Sequence, residues 1–152
     1  MADLLSLPVA GTTVKTVKIT DIKSARKRII MALEKQHKYW LQFMETEDTS
    51  AIDFVGRETK RSLWFKKMSK TEDYMFKVLL GNLAIYANDD AREKNNSWFI
   101  DIPKLKMSDY LKESIKNIND GNWDGVIKPT LDSFLANQAK MQAGKKTTSS
   151  NK

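Results

Sequence analysis

The sequence predicts an α+β protein: an antiparallel sheet of about four strands, a long basic N-terminal helix and two C-terminal helices. Three observations carry that expectation. An uninterrupted stretch from Asp21 to Met44 has apolar residues at helical spacing. Short apolar runs between residues 62 and 102 are punctuated by Gly and polar turns. Two further helical patterns follow Pro103.

In chain order, residues 1–13 contain Pro8 and Gly11 and are expected to form an arm suited to lying on a neighbouring subunit. Val14 to Ile19 alternates at period two, which predicts a short strand. Thr20 or Asp21 then caps the first helix, because a side-chain oxygen can accept from a free N–H of the first turn. Its apolar stripe is Ile22, Ala25, Ile29, Leu33, Trp40 and Phe43, widened by Ile30 and Met44. Its other face carries Lys23, Arg26, Lys27, Arg28, Lys35 and Lys38. Thr46 to Arg57 is acidic and reads as a loop.

Ser62 to Met68, Tyr74 to Leu80 and Leu83 to Ala87 predict a meander, with Gly81-Asn82 as a tight hairpin turn. Asn88 to Asn96 reads as a polar connection, and Ser97 to Ile102 as a fourth strand ended by Pro103. Ser108 is the expected cap of a helix to Asn119 with Tyr110, Leu111, Ile115 and Ile118 on its apolar side, stopped by Gly121. A last helix is expected from about Pro129, with Leu131, Phe134 and Leu135 facing inward. Residues 14–143 thus form one domain, and residues 144–152 a disordered basic tail.

Composition narrows the function. With 152 residues and 41% hydrophobic content the chain can bury one core. It has no cysteine, which excludes disulfides, thiolate zinc sites and a cysteine nucleophile. No apolar run reaches the roughly 20 residues of a membrane span, and the N-terminus does not resemble a secretory signal, so a cytoplasmic protein without membrane contact is expected. Phosphate-binding loops, dinucleotide fingerprints and nucleophile elbows are missing. His37 is the single histidine and reads as a surface residue beside Lys38. Glu45, Glu47, Asp48 and Asp53 lack the alternating spacing of a calcium loop. The expectation is a non-enzyme with no cofactor and no metal.

Net charge is +7, and it is unevenly placed. Residues 1–40 hold eight Lys/Arg against three Asp/Glu, residues 41–59 one against five, and residues 60–77 six against two. Two basic segments around an acidic one create a directed field, and a polyanion is its natural counterpart. If Leu63, Phe65, Tyr74, Phe76, Val78, Leu80, Leu83 and Ile85 face the core, alternation sends Trp64, Lys66, Met68, Met75, Lys77, Leu79 and Tyr86 to the other face. Rings among lysines suit single-stranded nucleic acid, where bases stack and ammonium groups meet phosphates. Arg57, Lys60 and Arg61 extend that track, and Lys23, Arg26, Lys27 and Arg28 offer a second one along the helix. The competing reading covers that sheet face with a helix or another subunit, leaving Trp64 and Tyr86 as core.

The basic first helix, Leu63-Trp64-Phe65, the Tyr74 to Ile85 hairpin and the Gly121-Asn122-Trp123-Asp124 step together resemble small bacteriophage proteins. Over residues 15–135 their order is similar to that in the single-stranded DNA-binding transcription factors (Drc-like) of short-tailed phages that encode their own RNA polymerase. The resemblance implies non-specific binding of single strands with DNA favoured, self-association into a homo-oligomer, and recruitment of an RNA polymerase. It lies in the order of elements, and the site residues above rest on pattern alone. The alternative function is a protein-binding regulator, such as a phage inhibitor of a host enzyme; a third is a minor virion or scaffold component.

Overall fold

The computed structural model describes the backbone of residues 18–150 and the side chains of residues 18–141. The expected arm, and residues 14–17 of the expected first strand, lie outside the described residues; Lys18 to Thr20 are irregular, with Ile19 buried. The elements are α1 (Ile22–Thr46), β1 (Phe65–Lys67), β2 (Tyr74–Phe76), β3 (Leu79–Leu80), β4 (Leu83–Ala84), α2 (Asp89–Glu93), β5 (Phe99–Ile102), α3 (Met107–Asn119) and α4 (Asp124–Ser150). Short 3-10 turns at Thr49–Ala51, Lys60–Ser62 and Lys104–Lys106 complete the order. The protein is α+β, as its sequence predicts.

α1 starts at a reciprocal cap. The Asp21 carboxylate accepts from the Ser24 N–H at 2.9 Å, and the Ser24 hydroxyl accepts from the Asp21 N–H at 3.0 Å. Its buried seam is Ala25, Ile29, Leu33, Gln36, Tyr39, Trp40 and Phe43. Two polar members dock the following chain. The Gln36 amide donates to the Ser62 carbonyl at 3.0 Å and accepts from the Trp64 N–H at 2.9 Å, fixing the entry to β1. The Tyr39 hydroxyl donates to Glu58 at 2.6 Å and accepts from the Val55 N–H at 3.0 Å, tethering the acidic loop. Burial pushes this phenol up to about 12.

The expected single sheet divides in two. One sheet has the order β1-β2-β5, all antiparallel, with Phe65 opposite Phe76, Lys66 opposite Met75 and Lys67 opposite Tyr74. The other is the β3–β4 hairpin. β1 and β5 occupy both sides of β2, so the hairpin that follows β2 cannot pair with it and closes on itself. Between β2 and β5 the register shifts, and Asp101 sits there at φ 62. That is the signature of an extra residue bulging one strand. The hairpin turn is as expected, with Gly81 at φ 65. A Cβ at Gly81 would also meet the Phe134 ring of α4 at 2.9 Å, so glycine answers both demands.

α1 packs on one face of the three-stranded sheet. Trp40 meets Phe65 edge-on at 5.0 Å between ring centres and Tyr74 at 5.1 Å. α3 lies against α1, and α4 reaches the hairpin, where the Thr130 hydroxyl donates to the Ala84 carbonyl at 2.8 Å.

Several boundaries differ from expectation. The Asn88–Asn96 connection contains α2, capped by the Asn88 side chain accepting from the Ala91 N–H at 2.8 Å. Ser108 does not cap α3: the 3-10 turn feeds directly into it, and the Ser108 hydroxyl bonds His37 instead. The α3 seam is Met107, Leu111, Ser114 and Ile118, which leaves Tyr110 on the rim, 47% exposed. α4 begins at Asp124, five residues before Pro129, which lies inside the helix. Proline there forfeits the bond its missing N–H would make to the Gly125 carbonyl, and its ring crowds that same carbonyl. The α4 backbone continues through Gly144 to Ser150, into the segment whose composition predicts disorder.

Candidate nucleic-acid interface

Core burial follows the expected alternation closely. Leu63, Phe65, Tyr74, Phe76, Val78, Leu80 and Ile85 are buried, and Leu83 is half-buried. The residues assigned to the opposite face are half-buried or exposed. They do not form one surface, however.

The outer sheet face carries a ring with two ammonium groups on it. Lys66 on β1 and Lys77 just after β2 both reach Trp98, with their Nζ atoms 4.7 and 5.0 Å from the ring centre. Met75 lies opposite Lys66 in register. Trp98 was not among the residues that strand alternation in the 63–86 region could single out. It precedes β5, and only the pairing of β5 beside β2 brings it over the lysines. The available signal was Ser97-Trp98-Phe99 itself: with Phe99 turned inward, the preceding ring turns out.

Trp64 goes elsewhere. It lines a cleft with Arg28, Lys35, Glu58, Leu79 and Gly81, between α1 and the hairpin. Lys35 there is ion-paired with Glu58. Tyr86 is held on two sides: its hydroxyl donates to Asn95 at 2.7 Å, and the Arg92 guanidinium lies 4.9 Å from its ring centre. Arg57, Lys60 and Arg61 are exposed, the last two on the 3-10 turn before β1.

The basic face of α1 is separated from this surface by the sheet, because α1 packs on the inner face through Trp40 and Phe43. Lys23 and Lys27 are exposed and line a cleft with Thr20, Met31 and Asn119. Arg26 is committed to the start of α4: its Nε donates to Asp124 at 2.8 Å, and its second nitrogen pairs with the other carboxylate oxygen. This bidentate bond holds the Asp124 carboxyl below the usual carboxylate range. The two basic tracks of the sequence are therefore two surfaces.

His37 is half-buried between α1 and α3, which corrects its reading as a surface residue. Its Nε2 lies 2.6 Å from the Ser108 hydroxyl. Burial lowers its pKa, with the positive charge of Lys112 acting in the same direction. None of the clefts described here is lined by either partner of this pair, and we assign it to packing of the two helices.

Among the described residues no helix is long and apolar enough to cross a membrane. No protein-family model, curated protein or solved structure matches the chain.

Proposed function

We propose that the protein is a non-specific single-stranded DNA-binding protein whose binding surface is the outer face of the β1-β2-β5 sheet. The observation that supports this reading is the pair of lysines, Lys66 and Lys77, gathered over Trp98. A cation on a partly exposed ring such as Trp98 is worth about 0.5–1 kcal/mol. A base stacked on the same ring contributes roughly 1–3 kcal/mol, and the released ammonium groups gain phosphate partners. Two such cation contacts amount to about 1–2 kcal/mol, so the exchange on Trp98 is driven by the phosphates that both lysines gain. The site is sequence-tolerant, since every base offers a π-face.

The likeness in element order to phage transcription factors extends the proposal: an accessory factor of phage transcription or replication, self-associating, meeting an RNA polymerase in the host cytoplasm. The test is fluorescence anisotropy with a labelled thymine oligonucleotide at two salt concentrations. Binding that weakens as salt rises is expected, because phosphate contacts release counterions. Absent or salt-insensitive binding removes the proposal and leaves a protein-binding regulator as the reading to pursue.

A further inference from the structure

Where the β5 edge of the sheet faces α3, a cleft of about 400 Å³ opens. Its walls are rings: Phe76 stacks on Phe99 at 5.1 Å between centres, and Phe99 on Trp123 at 6.1 Å, with Tyr110 at the rim. Its volume lies within the range of small-molecule sites. Two polar side chains one helical turn apart on α3, Glu113 and Asn117, line the same cleft. The Asn117 carbonyl oxygen accepts from the Asn122 amide at 3.1 Å, which leaves the Asn117 NH2 to donate. The Glu113 carboxylate has no hydrogen bond or ion pair among the described residues.

We propose that this cleft receives one guanine ring, stacked among its aromatic walls, with Glu113 and Asn117 reading the base edge. A carboxylate only accepts, and guanine is the base that presents two adjacent donors, N1–H and the N2 amino group, beside an acceptor, O6. Glu113 takes the two donors and the Asn117 NH2 meets O6. Adenine and cytosine offer one donor group beside an acceptor, and satisfy the carboxylate only once. Thymine has a single N–H between two carbonyls.

The cleft deepens the reading of the sheet face and rests on it for the source of the base. β5 is an edge strand, and consecutive residues Trp98 and Phe99 look to its two sides. A strand crossing Trp98 can turn one base over that edge without meeting another strand of the sheet. The same slot would take the ring of a free guanine nucleotide.

Anisotropy titrations distinguish these outcomes, using a labelled thymine strand of about twelve nucleotides, within the span of single-strand sites, and versions with one central guanine or adenine. The guanine strand is expected to bind about tenfold or more tighter than the thymine strand, as a bidentate base contact predicts. Glu113→Gln, an exposed position expected to keep the circular dichroism spectrum, should erase that advantage and leave the thymine affinity unchanged. Equal affinity for the three strands, or a guanine advantage that survives Glu113→Gln, overturns the proposal. Guanosine monophosphate is titrated in parallel by calorimetry. If it binds and Glu113→Gln abolishes binding while no strand binds, the slot stands as a nucleotide site and the single-strand reading falls. If neither strand nor nucleotide binds, both fall.

Discussion

The basic face of α1 and the outer face of the sheet are both rich in lysine and arginine, yet their cations are employed differently. On the helix, Arg26 is bonded to Asp124 and Lys35 to Glu58, and both pairs hold elements together. Lys23 and Lys27 stand exposed. On the sheet, Lys66 and Lys77 share an aromatic ring and carry no carboxylate partner among the described residues. Formal charge ranks the helix first; what lies next to each charge ranks the sheet first. A field attracts a polyanion from either side, but only a cation free to leave its neighbour can follow a phosphate chain.

The largest expected effect comes from the ring. Trp98→Ala should weaken oligonucleotide binding by about 5- to 150-fold, the equivalent of roughly 1–3 kcal/mol of stacking, read by anisotropy. Next come the lysines. Lys66→Ala with Lys77→Ala should reduce the slope of log affinity against log salt by about 1.4, at roughly 0.7 per single-strand phosphate contact. The matched pair Lys23→Ala with Lys27→Ala should leave the slope unchanged. If the helix pair moves the slope and the sheet pair does not, the ranking of the two surfaces is reversed.

Arg26→Ala separates structure from binding. It strands the Asp124 carboxylate at the start of α4, so the urea midpoint should fall while oligonucleotide affinity holds. A drop in affinity with an unchanged midpoint would place Arg26 in the interface. The smallest effect concerns His37. Its folded pKa lies below the ordinary 6.5, so the unfolded chain takes up the proton first as pH falls. Stability is therefore full above pH 6.5 and declines as the pH drops from there to the folded pKa. His37→Gln should flatten this decline in urea titrations between pH 7 and pH 5, a window chosen around that ordinary value. An identical pH profile would show that the histidine does not carry it.

Much of the fold was legible because it depends on local chemistry. The Asp21 cap, the Ala25 to Phe43 seam and the Gly81 turn each follow from residues within one or two turns of one another. Gln36 was missed although the spacing Ile29, Leu33, Gln36, Trp40, Phe43 includes it; its polarity hid a position whose amide serves two backbone groups. The candidate site was less legible, for a physical reason. Alternation tells which residues share a face within a strand, but Trp98 meets Lys66 and Lys77 only through the long return of β5 to β2. Likewise Phe99 of β5 stacks on Trp123 in the turn before α4, a contact no local pattern encodes.

The bond between Arg26 and Asp124 joins residues 98 positions apart. A ribosome adds about 5–20 residues per second, so α1 waits roughly 5–20 s for the carboxylate that secures it. During that interval the seam from Ala25 to Phe43 has no α4 to cover its first turns. Vectorial synthesis thus makes α4 the last element to dock on the rest. A nascent chain halted before residue 124 leaves the first turns of α1, apolar and basic together, open to whatever in the cell takes hold of unfinished proteins.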